Sequence, residues 1–176
     1  SYIALEFAQM YRRFGAQVTV IEKGPRLTSR EDEDVSAAIR DILEAEGITV
    51  ITDATAIRFR KQDKGFEVTP RDGADPVRGS HVLVAVGRRP NTDDLGLDRA
   101  GVEVDGDDEL RTTAGHIWAM GDCNGKGAFT HTSYNDFEIV AANLLDDDPR
   151  RVSDRVPTYA LYIDPPLGRA GMTVDE

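Results

Sequence analysis

The sequence predicts an α/β fold, with a parallel sheet that is interrupted by an antiparallel hairpin. Residues 2–14 carry apolar side chains at helical spacing, and Gly15 follows two arginines at the end of this helix. The β-branched run at 17–22 comes next and has the composition of a short buried strand. The same order repeats in a helix at 32–46 and a strand at 48–51. Helices that alternate with short strands are typical of an α/β fold.

The rest of the chain adds a hairpin and several shorter elements. The pattern predicts, in chain order, a meander hairpin at 56–60 and 65–69, a strand buried on both faces at 80–86, a buried strand at 117–120, a helix at 132–145, a polar linker at 146–155 and a strand at 158–163. The first helix has no strand ahead of it, and the chain stops soon after a strand. We therefore expect both ends to be cut from a longer protein, with the first strand of the sheet truncated.

The composition restricts the class of protein. The chain has 176 residues, of which 40% are hydrophobic, so it can build a core. Its net charge of -11 argues against a nucleic-acid surface, which needs clustered Lys and Arg. No apolar run approaches the ~20 residues that span a bilayer, so we expect no membrane partner. Cys123 is the one cysteine, which fits a reducing, cytoplasmic setting; we expect its thiol to be buried and structural.

Several polar residues are expected to have structural roles. His81 and His116 have no spacing that makes a ligand set, so we expect no metal site. The acidic run at 31–34 predicts a solvated first turn of the second helix, where carboxylates are favoured. Trp118 lies on the predicted strand at 117–120 and is expected to be part of the core.

Glu22 ends the first predicted strand, roughly 20 residues beyond the start of the first helix. A dinucleotide-binding β-α-β unit places an acid there, which accepts hydrogen bonds from the adenosine ribose and repels a 2′-phosphate. The alternative is an ordinary exposed glutamate after a strand, and spacing alone favours that alternative. Lys23 and Arg26 lie close by in sequence and obscure the choice between NAD and NADP.

Four segments carry a family resemblance: SYIALEFA, VLVAVGRRPNT, IWAMGDCNG and DPPLGRAGMT, in this order. Together they resemble the pyridine nucleotide-disulfide oxidoreductase family, which includes dihydrolipoamide dehydrogenase, glutathione reductase and mercuric reductase. The resemblance covers essentially the whole chain and implies a Rossmann-like fold that binds FAD and NAD(P). It implies three parts: an NAD(P)-binding domain without its first strand at 1–90, the C-terminal segment of the FAD-binding domain at 91–152, and the start of the dimer-interface domain at 153–176.

The resemblance implies roles for the first helix around the nicotinamide. Ser1 stands at the third residue of the family's nucleotide-binding fingerprint, where glycine is usual, so its side chain is expected to point away from the phosphates. Tyr2 matches a gate over the nicotinamide pocket, and Ile3 follows it on the first turn. Glu6 matches an acid near the nicotinamide that pairs with an upstream lysine beside the flavin. Glu6 is a supporting residue, and no catalytic residue is certain.

The resemblance also implies positions at the other end of the dinucleotide. Glu22 and Lys23 are expected at the adenosine ribose, where Glu22 favours NAD over NADP. Val86, Gly87 and Arg88 match the family's second nucleotide segment. There Gly87 lets the backbone approach the dinucleotide, and Arg88 is expected near the pyrophosphate.

Gly121 and Asp122 match the family's second FAD motif, in which the aspartate binds the ribitol hydroxyls. A carboxylate at the end of a buried strand needs such a partner, because desolvation is costly. Phe129 and Thr130 lead into the third helix, whose N-terminus is expected to face the N1/O2 region of the flavin, where negative charge builds on reduction. His131 is expected to cap the helix or to pack, and it does not match the family's catalytic acid.

The function implied by the resemblance is hydride transfer from NAD(P)H to FAD and on to a disulfide, a metal ion or another acceptor. The segments FAQMYRRFG, REDED and FTHTSYNDF are most similar to those of mercuric reductase-like members. A homodimer is expected for the full-length protein, and the chain alone is expected to be inactive. The alternative from another class is a stand-alone nucleotide-binding module without catalytic activity. A flavoprotein without redox cysteines is a third possibility, which DPPLGRAGMT disfavours.

Overall fold

The computed structural model describes residues 1–103, 107 and 110–174. Over these residues the helices are α1 (Tyr2–Arg13), α2 (Glu33–Ala45) and α3 (Thr130–Ala141). The strands are β1 (Thr19–Ile21), β2 (Thr49–Ile51), β3 (Arg58–Gln62), β4 (Gly65–Thr69), β5 (Val77–Gly79), β6 (Thr158–Leu161) and β7 (Leu167–Ala170). Short 3₁₀ turns occupy Gly121–Asn124 and Val152–Asp154, and a π-helical turn occupies Ala142–Asp146. The chain divides into two compact units: Ser1–Gly87 with the chain from Ala160 onward, and Arg88–Tyr159.

The first unit contains a β-α-β arrangement. Strands β1 and β2 pair in parallel, with Thr19 opposite Thr49 and Ile21 opposite Ile51. Helix α2 provides the connection between them, as parallel neighbours require. The predicted α/β fold class with a parallel sheet is therefore confirmed. Strands β6 and β7 form a separate two-stranded sheet.

Both helices of the first unit bury one apolar face. Helix α1 ends at Arg13 with Phe14 as its C-cap, and Gly15 follows with φ of +94°, a left-handed conformation that glycine adopts without a steric penalty. The core that these helices share with the strands consists of Leu5, Ala8, Leu27, Ile39, Leu43, Ile48, Val50, Leu161 and Ile163. Four of these residues lie on α1 or α2, because helical spacing places their side chains on one face.

The predicted hairpin is present and belongs to a three-stranded meander. Strands β3 and β4 pair antiparallel with Gln62 opposite Gly65, and β5 pairs with the other edge of β4. Gly65 has a φ of +101°, and a Cβ atom at this position would lie 2.3 Å from the carbonyl oxygen of Gly79. Glycine is therefore required where the two chain segments approach. The sequence prediction missed β5, which has three residues.

The predicted strand at 80–86 is wrong. Residues 81–85 form no strand, and the apolar side chains of this run are largely exposed, with Val86 at 90%. An apolar run forms a buried strand only where a neighbouring strand accepts its hydrogen bonds. Within the described residues, the parallel sheet consists of β1 and β2 alone, and no strand pairs with this run.

The predicted buried strand at 117–120 in the second unit is also wrong. The structure has one antiparallel bridge here, between Arg111 and Trp118. Trp118 is half-buried rather than part of the core, and the Arg111 guanidinium carbon lies 5.3 Å from its ring centre. The pairing is short. The Thr112 N–H donates to the Ile117 carbonyl on one side of the bridge, and the Ala119 N–H donates to the Leu110 carbonyl on the other.

The predicted linker at 146–155 has little regular structure apart from a 3₁₀ turn at Val152–Asp154. The π-helical turn directly continues α3, which itself starts two residues earlier than expected. The Asn143 side chain then closes the following loop: its Nδ2 donates to the Arg150 carbonyl at 2.8 Å, and its Oδ1 accepts from the Arg150 N–H at 3.0 Å. Most residues at 146–155 are exposed, as their polar composition predicts. Over the described residues, no helix has both the length and the apolarity to cross a bilayer.

A buried glutamine connects three parts of the first unit. The Gln9 amide donates to Glu46 Oε1 at 2.8 Å and to the Asp164 carbonyl at 2.9 Å, and its oxygen accepts from the Asp164 N–H at 2.7 Å. Arg13 donates to Glu46 at 2.6 Å and to the Asp164 carboxylate at 2.9 Å. The network thus joins α1, the end of α2 and the loop after β6.

Replacing Glu46 with glutamine is expected to weaken the acid sensitivity of the fold. The hydrogen bond from Arg13 holds the pKa of the Glu46 carboxyl below its ordinary value of 4.5. A carboxyl with a lowered folded-state pKa stabilises the fold above its unfolded-state pKa, and this stabilisation is lost as the pH falls through the folded-state pKa. From neutral pH to about pH 3, the free energy of unfolding of Glu46→Gln should therefore fall less than that of the wild type.

Urea unfolding at several pH values measures this difference. Glu44→Gln is the matched control, because Glu44 lies on the same helix and pairs with Arg40 at the exposed surface. A Glu46→Gln variant that loses stability as steeply as the wild type would contradict the assignment.

Candidate functional site

The first turn of α1 holds three of the predicted nucleotide-binding residues. Ser1 precedes the helix, and its carbonyl accepts the Ala4 N–H at 3.1 Å. Ile3 is partly exposed, and Tyr2 is half-buried. The Tyr2 hydroxyl donates a hydrogen bond to the Glu31 carboxylate. The structure therefore connects the predicted nicotinamide gate to the loop before α2.

Glu31 corrects the prediction that the acidic run at 31–34 is solvated. Its side chain is 2% exposed, and its Oε2 accepts a hydrogen bond from Arg169 Nη1 at 2.9 Å. The Arg169 side chain is itself only 11% exposed. A buried carboxylate is retained where a cation and hydrogen bonds compensate its desolvation, and Arg169 and Tyr2 provide both. Composition could not indicate this, because Arg169 lies 138 residues further along the chain.

Glu6 lies on the same helix and contacts a different part of the first unit. Its Oε1 accepts the backbone N–H of Tyr162 at 2.9 Å. The Glu6 side chain is half-buried, while Tyr162 is exposed. One carboxylate oxygen of Glu6 thus holds the chain after β6, and the structure describes no partner for the other.

Glu22 follows β1 directly, as the sequence predicted. Its backbone N–H donates to Ile51, and its Oε1 accepts the Gly24 N–H at 2.9 Å. Lys23 is exposed. Arg26 is half-buried and donates through Nη2 to the carbonyls of Ser29, at 3.3 Å, and Glu31, at 3.2 Å. This loop therefore carries one carboxylate at the strand end, with the nearby arginine bound to the loop backbone.

Val86 and Gly87 lie at the end of the first unit. Gly87 has a φ of +125°, and no heavy atom lies within 4 Å of a Cβ atom built there. A side chain at this position would be excluded by the backbone conformation rather than by a neighbour. Both residues are exposed, which leaves their backbone accessible to a ligand.

Arg88 belongs to the second unit, where it pairs with Asp122. Its Nη1 lies 3.6 Å from Asp122 Oδ2, and both side chains are more than half exposed. The sequence analysis had assigned these two residues to different nucleotide segments. The Ser133 hydroxyl adds a long contact of 3.4 Å to Asp122 Oδ1. Asp122 is therefore an accessible carboxylate, and the expectation that it ends a buried strand is wrong, because no strand forms ahead of it.

The buried acid of this region is Asp136 on α3. Its side chain is 0% exposed, and its Oδ2 accepts the Gly121 N–H at 2.9 Å and Asn124 Nδ2 at 2.7 Å. Arg155 donates to its Oδ1. Asn124 also donates to the Ala119 carbonyl at 3.2 Å. The 3₁₀ turn at Gly121–Asn124 is thereby attached to α3.

The sequence analysis missed Asp136, although a signal for it exists. Thr132 and Ile139 are buried on α3, and Asp136 lies four residues after the first and three before the second. This spacing places the carboxylate on the buried face of the helix. An acidic residue on a buried helix face needs partners of its own, because desolvation of its carboxylate is costly.

Phe129 and Thr130 lie at the start of α3. Phe129 stacks on Tyr159, with ring centres 5.7 Å apart and planes at 3°, and on His131 at 5.5 Å. His131 Nε2 lies 2.7 Å from the Thr158 carbonyl oxygen. Thr130 is exposed. An aromatic cluster therefore fixes the first turn of α3, whose leading N–H groups have no acceptor within the helix.

The expectation that the Cys123 thiol is buried is wrong. It is half-buried, and its sulfur donates a weak hydrogen bond to the Met120 carbonyl at 3.2 Å. It lies within the 3₁₀ turn, so the turn geometry keeps its side chain near the surface. The part of the chain that the structure describes contains no group of three His, Cys, Asp or Glu residues that could hold a metal ion.

Comparison with known proteins adds independent information. A family model described as pyridine nucleotide-disulphide oxidoreductase matches residues 1–136. The chain is 37% identical to a probable pyridine nucleotide-disulfide oxidoreductase, RclA, of Escherichia coli, over 99% of this chain and 41% of that protein. It is also 37% identical to a mercuric reductase of Streptomyces lividans, over 98% and 38%.

A solved structure agrees with these relatives. The HOCl-induced flavoprotein disulfide reductase RclA of Escherichia coli superposes with a TM-score of 0.91 at 36% identity, covering 99% of this chain and 41% of that one. The chain spans about two fifths of the length of the curated relatives that it matches.

Proposed function

Because the chain belongs to the pyridine nucleotide-disulfide oxidoreductase family, we propose that it is the central part of an FAD-dependent NAD(P)H oxidoreductase. The observation that carries this proposal is the 3₁₀ turn at Gly121–Asn124. It presents an accessible Asp122 carboxylate beside the start of α3, at the position of the family's FAD motif. The parts assigned above at 1–90, 91–152 and 153–176, and a homodimer of the full-length protein in the cytoplasm, belong to the same proposal.

The turn fits the flavin nucleotide that the family implies. Gly121 has a φ of +78°, a left-handed conformation that favours glycine and lets the chain turn before Asp122. Asp122 would accept hydrogen bonds from ribitol hydroxyls, since its carboxylate is exposed. Phe129 and Thr130 would place the first turn of α3, with its N–H groups and partial positive charge, near the flavin ring. When bound, FAD supplies the hydride and electron transfer chemistry.

The first unit fits a nicotinamide nucleotide. Ser1, Tyr2, Ile3 and Glu6 would lie near the phosphates and the nicotinamide, while Val86 and Gly87 offer an accessible backbone. Arg88 belongs to the second unit, and its role at the pyrophosphate is proposed from its match to the family's second nucleotide segment. Glu22 and Lys23 would reach the adenosine ribose. We propose NAD rather than NADP, because Glu22 places a carboxylate at the strand end while Arg26 donates to backbone carbonyls. A 2′-phosphate would thus meet a like charge.

The electron acceptor is proposed by class. The names of the relatives support a disulfide or a metal ion: one is a mercuric reductase, and RclA is described as a disulfide reductase that was also solved as a Cu(II) complex. Both named relatives have 37% identity, so a mercuric reductase-like acceptor site is one of two equally supported choices.

Anaerobic titration of the full-length protein that contains this chain tests the proposal. We expect the purified protein to contain or take up FAD, and stoichiometric NADH to bleach the visible flavin absorbance. NADPH should give a kcat/KM lower by about tenfold or more. The 176-residue chain alone should show no NADH–dye reductase turnover. A full-length protein that binds one nucleotide but transfers no electrons would instead support the stand-alone binding module.

A further inference from the structure

Burial of the Asp136 carboxylate costs free energy that helix formation does not offset. It is fully buried on α3, and a helix gains nothing from an acid at an interior position. Arg155 compensates the charge, and its guanidinium also donates through Nε to Asn135 Oδ1 at 2.7 Å. The carboxylate is therefore neutralised where it lies, and its remaining oxygen is committed to another element.

That element is the turn that carries Asp122. Asp136 Oδ2 binds the backbone of Gly121, the residue before Asp122, and the side chain of Asn124, two residues after it. Asn124 in turn accepts the Lys126 N–H at 2.8 Å through its Oδ1. Both sides of Asp122 are thus attached to a single buried carboxylate.

Asp122 itself has weaker contacts. Its own partners are the long Ser133 contact of 3.4 Å and the exposed Arg88 pair at 3.6 Å. Neither contact holds a side chain firmly, since exposed ion pairs contribute little and hydrogen bonds of this length are weak. The position of the Asp122 carboxylate is therefore determined by its backbone, and the backbone is held by Asp136.

We propose that Asp136 is a positioning residue for flavin binding, acting through Gly121 and Asn124 on Asp122. Arg155 pairs with the carboxylate and compensates its charge, so the site carries no added net charge. This inference rests on the proposed function, because it assigns Asp122 to the flavin nucleotide. Asp136 is fully buried, so we expect its effect on FAD affinity to depend on Asp122.

Asp136→Asn in the full-length protein tests the proposal. The asparagine amide would point an N–H group at one of the donors that bind Asp136, and a hydrogen bond would be lost. We therefore expect the Kd for FAD, measured by quenching of flavin fluorescence, to rise about tenfold. Glu138→Gln is the matched control, because Glu138 lies on the same helix and contacts Asn135 rather than the turn. We expect it to bind FAD with the wild-type Kd.

A double-mutant cycle distinguishes positioning from general stability. In an Asp122→Asn background, Asp136→Asn should change the Kd for FAD by less than about twofold, while its effect on urea unfolding stays the same. Equal fold-changes in both backgrounds, or a wild-type Kd in the folded Asp136→Asn protein, would overturn the positioning role. If Asp136→Asn fails to fold, Asn124→Ala replaces it, and a wild-type Kd in that variant overturns the role. A wild-type protein that binds no FAD would overturn the proposed function as well.

Discussion

Replacing Glu31 with glutamine is expected to lower the free energy of unfolding by about 3–5 kcal/mol. The glutamine keeps the shape of the side chain and can still accept a hydrogen bond from Tyr2. It cannot compensate the charge of Arg169, whose side chain is only 11% exposed and whose other described acceptors include the Arg30 carbonyl at 3.3 Å. An uncompensated buried charge is one of the few single changes that cost this much.

Urea unfolding followed by far-ultraviolet circular dichroism measures the effect. Glu44→Gln is the matched control: it removes a carboxylate from the Arg40 pair at 2.9 Å, where both side chains are about two fifths exposed. That variant should lose about 0.5 kcal/mol or less. Added salt should weaken the Arg40 pair further and leave the Glu31 effect almost unchanged, because buried pairs are poorly screened. Similar losses in the two variants would show that Glu31 is not a buried structural acid.

Local patterns predicted the elements that depend on nearby residues. Helices α1 and α2 and the β3–β4 hairpin were placed within a few residues, because helical spacing and a glycine turn act over short distances. The run at 80–86 has the composition of a strand, yet a strand also needs a partner that composition does not specify. Strand β5 is too short to show a pattern at all.

In the candidate site too, local motifs could be predicted from the sequence, whereas contacts between distant side chains could not. The family motif identified Gly121 and Asp122 as candidate flavin-binding residues, although the pattern predicted the end of a buried strand where the structure has a 3₁₀ turn. It did not indicate that Arg155 and Asp136 hold this turn, because their interaction spans 19 residues and joins two polar side chains. The acidic run at 31–34 was expected to be solvated, whereas Glu31 is buried against Arg169. Asp136 had no predicted role, and it is buried against Arg155.

Arg155→Met is expected to destabilise the second unit by about 3–5 kcal/mol. The methionine is apolar and of similar length, so it retains packing, but it leaves the fully buried Asp136 carboxylate with two neutral donors and no cation. The combined variant Asp136→Asn with Arg155→Met removes the charge as well. It should therefore be less destabilised than the sum of the single variants, by at least about 1 kcal/mol.

The single tryptophan of the chain allows the stability of the second unit to be measured in these variants. Trp118 is half-buried under Arg111, so its fluorescence during urea unfolding reports on that unit. Arg150→Met is the matched control, because the Arg150–Asp148 pair at 3.1 Å is more than half exposed on both sides and should contribute about 0.5 kcal/mol or less. Strict additivity of the Asp136 and Arg155 variants would mean that the carboxylate does not depend on Arg155. The Asp136 carboxylate would then hold the turn that carries Asp122 without help from Arg155, and Arg155→Met would leave FAD affinity unchanged.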